Sequence, residues 1–511
     1  MTAIHTKKRC LVLATMALST LAAVPASGQT INEELVIAPT DAQNFISFGQ
    51  SVAISGTTAI IGAPLEYNAG INSGSAYLFD MSTGQQLFEL TPPDAEGGMI
   101  FGNSVAISGT TAIVGAPNDS DENPVSGSAY VYDTITGQQL FKLTASDSTQ
   151  FARFGYSVAI SGTTAIIGAE SAGAAYLFDT TTGQELFKLA PNDVVASDSF
   201  GTSAAISGTT AIVGSYRDDD AGSSSGSAYV FDTTTGQLLF KLVASDAAEN
   251  DQFGYSVSIS GNTAVIGANR DDDEGSYTGS AYIFDTTTGQ QLFKIAASDA
   301  AENDQFGYSV AIAGTTAVIG ARESNNAEGS AYLFDTTTGQ QRFKLAASDA
   351  ESGALFGSSV AISGAAAIVG ATQASHVGIT SGSVYSFPQG PGVLNQLQPV
   401  VVTEGETAGF TIVAIYPNVD QYQWRRDGVD LVDGAGISGA QSDSLEIVST
   451  MDDVGLYDCV LTNAHGQVIS NEAVLAVRSD PNACEGDLNG DGSLDFFDVQ
   501  QFIVEFQRGC P

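Results

Sequence analysis

Apolar and polar residues alternate in short runs along most of the chain. SVAIS at 51–55 alternates with a period of two, TTAIIGA at 57–63 is β-branched and apolar, and SAYLFD at 75–80 alternates again. A hairpin signal built on Thr and Gly then leads into runs of the type QQLFKL, where Gly can take the left-handed position of a tight loop. Four short strands are predicted per unit of roughly fifty residues, the size of a propeller blade. No helical period is evident before the last stretch of the chain.

The unit recurs. Phe-Gly occurs at Phe48, Phe101, Phe154, Phe200, Phe253, Phe306 and Phe356, each time followed by a version of SVAISGTTAIIGA, a variable loop, GSAYLFD and TTTGQQLFKL. A four-stranded sheet cannot bury both faces alone, so the units must pack side by side around an axis. The expected fold is all-β, with a seven-bladed β-propeller over residues 31–388. The seventh unit stops at Phe387 without its last strand. Residues 34–37 are expected to supply that strand and close the ring, which removes an exposed sheet edge. An Asp lies seven residues before each Phe-Gly, at Asp41, Asp94, Asp147, Asp193, Asp246, Asp299 and Asp349. Another ends the third strand of six units, at Asp80, Asp133, Asp179, Asp232, Asp285 and Asp335. Both sets are read as turn-capping residues, since Asp accepts nearby backbone N–H groups.

Phe-Gly followed by Gly62-Ala63-Pro64 and Gly115-Ala116-Pro117 resembles the FG-GAP repeat of integrin α-subunit propellers and their bacterial relatives. The resemblance implies a non-catalytic adhesion scaffold. Integrin-like repeats often carry a calcium loop between the first two strands; here that loop is Ser-Gly-Thr-Thr or a near variant, so no calcium is expected there.

A Pro/Gly-rich linker at 388–392 ends the repeat. Residues 396–478 are similar to bacterial immunoglobulin-like domains. Trp424 is the buried-Trp candidate, and Tyr457, two residues before Cys459, forms the tyrosine-corner pattern. The position for a partner cysteine falls near Ile412, so Cys459 is expected to be a free buried thiol.

Residues 482–511 read as a small α-helical calcium-binding module. Asp487, Asn489, Asp491, Ser493, Asp495 and Asp498 fit the ligand spacing of an EF-hand loop, with Gly492 at the sharp turn, and imply Ca2+. Cys484 and Cys510 bracket the loop and are expected to form a disulfide. The segment is similar to dockerin modules, which implies a cohesin-like or surface-anchoring partner.

Charge narrows the function. Seventeen Lys and Arg stand against 57 Asp and Glu, a net charge of −40, which argues against nucleic acid and anionic membrane surfaces as partners. Lys7, Lys8 and Arg9 precede an apolar stretch from Cys10 to Val24 and small residues near Gly28, the pattern of a signal peptide over residues 1–28. No other segment is apolar enough to span a bilayer. The chain is therefore expected to be secreted or on the cell surface, in a compartment that permits disulfides, and the subtype of the repeat points to a bacterium.

Candidate recognition residues lie in the variable loops after Gly-Ala: 118–122, Arg217 to Asp220, and Arg270 to Glu274. These carboxylates are read as a solvated acidic rim, with cation binding as the alternative. His5, His376 and His465 are too scattered for a histidine metal site, and no nucleophile has an evident base. Quinoprotein-type propellers carry a Trp in each blade, but the single Trp424 lies outside the repeats. The expected function is a non-enzymatic binding or adhesion protein for an extracellular protein or glycan. The alternatives are a structural component of an extracellular assembly and a carbohydrate-active propeller enzyme.

Overall fold

The structure, a computed structural model, describes residues 30–478 apart from 34, 41–43, 122, 365, 377, 389–396, 415–418 and 464–465. The chain divides into two compact units, one of residues 26–389 and one containing 390–511.

The first unit holds seven antiparallel sheets, and the fifth shows the plan. Phe253–Ser260, Thr263–Ala268, Ser280–Asp285 and Gln290–Ile295 follow one another in chain order across the sheet. Ser260 pairs with Thr263 across a two-residue loop whose first residue, Gly261, has φ 56°, as a tight primed turn requires. The first strands of successive sheets pack against one another, and Phe356–Ser363 packs against Ser51–Ser55 to close the circle. The second and third strands are buried on nearly every residue, so SAYIFD does not alternate in exposure. Each blade is covered by a neighbour on both faces, and only the outer strand keeps one face toward solvent.

The Phe-Gly motif builds the joint between blades. Phe253 is buried, with its ring 5.4 Å from Tyr282 and 5.8 Å from Phe284 of its own blade. Its backbone bridges to Gly226 of the preceding blade, and Ser203 donates to the Gly254 carbonyl at 2.9 Å. Gly254 has φ 86°, and a Cβ there would sit 2.3 Å from the Ser227 carbonyl oxygen. The motif therefore lets two backbones touch where a side chain would separate them.

Closure uses both ends of the repeat region. Leu35–Ile37 pairs antiparallel with Ser383–Pro388 and gives the seventh sheet its fourth strand. Thr30–Asn32 adds a parallel fifth strand to the sixth sheet, beside Gln341–Ala346, which the sequence pattern did not indicate.

The second unit contains a β-sandwich. One sheet carries Val400–Thr403, Ala473–Arg478, Gly455–Asn463, Gln421–Arg426 and Val429–Asp430, with Gly466–Ile469 beside Gly455–Asn463. The other carries Thr407–Thr411, Ser444–Val448 and Ile437–Ser438. Trp424 is fully buried and paired with Cys459 across the strands, and Phe410 stacks on Tyr457 at 5.2 Å. The Tyr457 hydroxyl donates to the Asp453 carbonyl at 2.7 Å, the tyrosine corner of an immunoglobulin-type sandwich. Ile412 is buried in the same core, where a second cysteine would otherwise stand.

Two expectations are corrected. The described residues are almost entirely β: their α-helix is the four-residue turn Ser324–Ala327 in a propeller loop, and they hold no EF-hand helix pair. A calcium loop of that type needs helices to hold its ends. Among the described residues nothing corresponds to the α-helical, dockerin-like module expected over 482–511. Asp487, Asn489, Asp491, Ser493, Asp495 and Asp498 lie outside the described residues. The expected disulfide is corrected as well. No disulfide occurs among the described residues, Cys459 is a free thiol, and Cys484 and Cys510 lie outside them. The signal segment 1–28 also lies outside the described residues.

Candidate functional site

Phe253 pairs with Ala268, so the residues around Phe-Gly and the loop after Gly-Ala lie at the same end of each blade. The variable loops share this end. The third strand begins here too, because Ala268 pairs with Ser280.

The loop carboxylates are not a solvated rim throughout. Asp119, Asp218 and Asp271 are buried to 1–2% exposure. Each accepts a hydrogen bond from the Tyr of its own third strand: Tyr130 at 2.9 Å, Tyr229 at 2.7 Å and Tyr282 at 2.6 Å. A lysine from the outer strand completes each group. Lys142 lies 2.7 Å from Asp94, 2.8 Å from Asp119 and 2.5 Å from Asp121. Lys241 makes the same contacts with Asp193, Asp218 and Asp220, and Lys294 with Asp246, Asp271 and Asp273. The recurring Asp before Phe-Gly thus anchors the segment entering the blade to an ammonium group rather than only capping a turn. The remaining blades vary the theme. Lys188 meets Asp147, Lys344 meets Asp299, and His376 lies 3.4 Å from Asp349. In the first blade Glu89 takes the lysine position, Tyr77 donates to Glu66 and Asn68 donates to Glu89. Asp41 and Glu122 lie outside the described residues.

Burial alone would push the Asp119 carboxyl up; the Lys142 ammonium, with Ser128 and Tyr130, holds it below the ordinary value. Asp246 is held low in the same way against burial, chiefly by Lys294. Burial pushes Asp251 up to about 6, and the charges of Asp271, Asp272 and Asp273 add to this. In Asp94, Asp119 and Asp121, and in Asp246, Asp271 and Asp273, the oxygens lie within 4.8 Å of one another, a spacing compatible with calcium. A lysine ammonium occupies that position in both groups, so calcium has to displace it.

A second cluster sits at the axial end of the blades, one residue beyond Phe-Gly. Tyr156, Tyr255 and Tyr308 hold that position in the third, fifth and sixth blades, and Tyr216 opens the loop of the fourth. Tyr216 and Tyr255 meet edge to face at 5.5 Å, and Tyr255 and Tyr308 lie 5.1 Å apart. Arg153 lies over Tyr156 at 4.7 Å, Arg217 over Tyr216 at 5.1 Å and Arg322 over Tyr308 at 3.8 Å. Burial raises the Tyr156 phenol, then Glu170, with the phenols of Tyr216 and Tyr308 contributing, so groups from three blades share one neighbourhood.

At the opposite end of the blades the Asp that closes the third strand caps a turn. Asp285 accepts from the Thr287 amide at 2.8 Å and hydroxyl at 2.6 Å, which lowers its pKa. Asp80, Asp133, Asp179 and Asp232 do the same. Among the described residues no Ser, Thr or Cys side chain is paired with a histidine, and His376 meets Asp349. Cys459 is buried and its thiol is pushed up to about 12 by that burial, and His5 and His465 lie outside the described residues.

The FG-GAP repeat profile matches residues 31–79, 85–132, 138–178, 184–231, 239–284, 290–334 and 340–387. The chain belongs to the FG-GAP repeat family. Each later FG-GAP unit begins at the outer strand of one blade and ends on the third strand of the next, and the first unit likewise takes in Leu35–Ile37, the strand that completes blade seven. FG-GAP propellers of the integrin α type are non-catalytic adhesion modules, and this chain is not an enzyme. The FG-GAP match stops at 387 and does not extend to the expected dockerin-like segment. No curated protein matches the chain in sequence. Among solved structures, hydrazine synthase of Kuenenia stuttgartiensis is 15% identical over 69% of this chain and 98% of its own, with a TM-score of 0.47. A chimeric titin Z1Z2 carrying a decorin-derived peptide is 35% identical over 18% of this chain and 97% of its own, with a TM-score of 0.16.

Sequence reasoning missed the lysines and the axial tyrosines and arginines. The lysines were recoverable, since Lys recurs immediately before the last apolar residue of the outer strand, in register with the Tyr it covers. The arginines carry no repeat signal, because they occur in only some blades.

Proposed function

We propose that this chain is a secreted or cell-surface binding and adhesion protein that holds an extracellular protein or glycan on the loop end of its propeller. The observation that carries the reading is the combination of an FG-GAP ring with loops that differ from blade to blade on a scaffold that does not. The lysine–aspartate groups, three of them centred on a buried aspartate, fix the roots of those loops, so their tips are displayed from rigid positions. Among the described residues no helix is long and apolar enough to cross a membrane. Calcium is assigned a secondary role, as a cation that competes with the lysines at the two aspartate groups. The test is an array of glycans and matrix proteins probed with the full chain, with and without calcium. Retention on a defined ligand supports the reading, and an empty array in both conditions overturns it.

A further inference from the structure

Positive charge on the propeller is unevenly placed. All five lysines between residues 30 and 388 are held by aspartates in the groups described above. Of the five arginines in the same span, Arg342 pairs with Asp335 at the far end of its blade. The other four, Arg153, Arg217, Arg270 and Arg322, flank the loop end, and three of them lie on the axial tyrosines. Arg270 lies over Tyr277, outside that row.

The axial end is two-sided. Tyr216, Tyr255 and Tyr308 form a continuous row with Arg217 over one end and Arg322 over the other. The position after Phe-Gly is Gln50, Asn103 and Ser358 in the adjoining first, second and seventh blades, a side of amides and hydroxyls, while Thr202 holds it in the fourth blade among the tyrosines. A guanidinium stacked on a ring keeps its plane, and its N–H edge suits two-point binding of a carboxylate. The internal counter-charges are loose: Glu170 is 3.4 Å from Arg153 and Glu323 is 3.5 Å from Arg322, while Arg217 makes no ion pair among the described residues. Two guanidiniums separated by a row of rings match a ligand whose carboxylates are spaced along a chain of sugar rings. A peptide terminus offers a single carboxylate and no ring hydroxyls for the polar side. The net charge of −40 repels a long polyanion and favours a short one.

The geometry points to an axial site for a short acidic oligosaccharide, with uronate carboxylates on Arg217 and Arg322 and sugar hydroxyls against the phenols and the amide side. This inference rests on the binding-protein reading above and names its ligand class. It is tested by calorimetry of the full chain with a short oligogalacturonate, its methyl ester and an acidic tripeptide. The oligogalacturonate binds, and its ester binds at least about tenfold more weakly, the loss of one charged contact. Arg217→Gln, an exposed substitution, and the double variant with Arg322→Gln each weaken binding by at least about tenfold at an unchanged melting temperature, while Arg342→Gln does not. Equal binding of acid and ester, binding unaffected by Arg217→Gln, tighter binding of the peptide, or no binding at all overturns the site. If the site fails while the array still retains a ligand, the binding-protein reading stands; an empty array removes both.

Discussion

Replacing Lys294 by Met removes the ammonium from Asp246, Asp271 and Asp273 while keeping most of the side chain's bulk. Breaking a fully buried ion pair costs about 3–5 kcal/mol. Here the Lys294 side chain is 24% exposed, Asp246 34% and Asp273 55%, so solvent screens much of the change. Asp271, at 3%, is not screened and keeps its Tyr282 hydrogen bond. The expected loss is about 2 kcal/mol at neutral pH. Its pH dependence has a definite sign. Asp246 is held below its ordinary 3.8, so the pair contributes stability above about pH 4 that disappears as pH falls through the lowered value. The deficit of the variant is therefore full at pH 7 and closes in acid. Calcium should rescue it, because three carboxylates within 4.8 Å then lack a cation. At a hundredfold excess over Kd, binding returns about 2.7 kcal/mol. Melting curves at pH 7 and in acid, each with and without calcium, decide the matter. The reasoning fails if the variant melts with the wild type at pH 7, if the deficit persists in acid, or if calcium raises both proteins equally.

Asp251→Asn removes a carboxyl pushed up to about 6, whose charged form costs stability above that pH and stops doing so as pH falls toward 4. The variant should gain about 1–2 kcal/mol in urea unfolding at pH 8 and nothing near pH 4, with the Ala248 N–H still accepted. Gly155→Ala would place a Cβ 2.2 Å from the Ser128 carbonyl oxygen at φ 87°, so a loss of at least about 3 kcal/mol or of soluble protein is expected. A wild-type melting curve refutes that account of the blade joint. Cys459, buried with its thiol pushed up to about 12, should resist alkylation in the native protein and react on unfolding, as read by mass spectrometry of its peptide. Fast native labelling would show that the sandwich core is open.

The second strand TTAIIGA and third strand SAYLFD made the blade count legible, since a strand period and a repeated Phe-Gly are local signals. The loop TTTG was read correctly as a turn, because Asp285 caps it through residues two positions away. The same reasoning misjudged Asp94 and Asp246, whose partners Lys142 and Lys294 are 48 residues away in sequence and meet them only when the outer strand folds back. The solvated rim expected at Asp271 was overturned for the same reason: its exposure depends on Tyr282 and Lys294 above it. Read locally, the ligand spacing from Asp487 to Asp498 and the bracketing pair Cys484 and Cys510 pointed to a helical calcium module with a disulfide, and the β architecture of the described chain does not bear that out.

The sequence alone determined the repeat, the seven units and the Trp424–Tyr457 sandwich core. Each depends on neighbours along the chain or on a fixed period. Tertiary structure alone decided that Arg217, Tyr216, Tyr255, Tyr308 and Arg322 form one row, and that lysines fill the aspartate groups. Those groups come from different blades or from opposite edges of one sheet. Only the packing of successive blades brings their axial residues within reach of one another, and no local pattern records that distance.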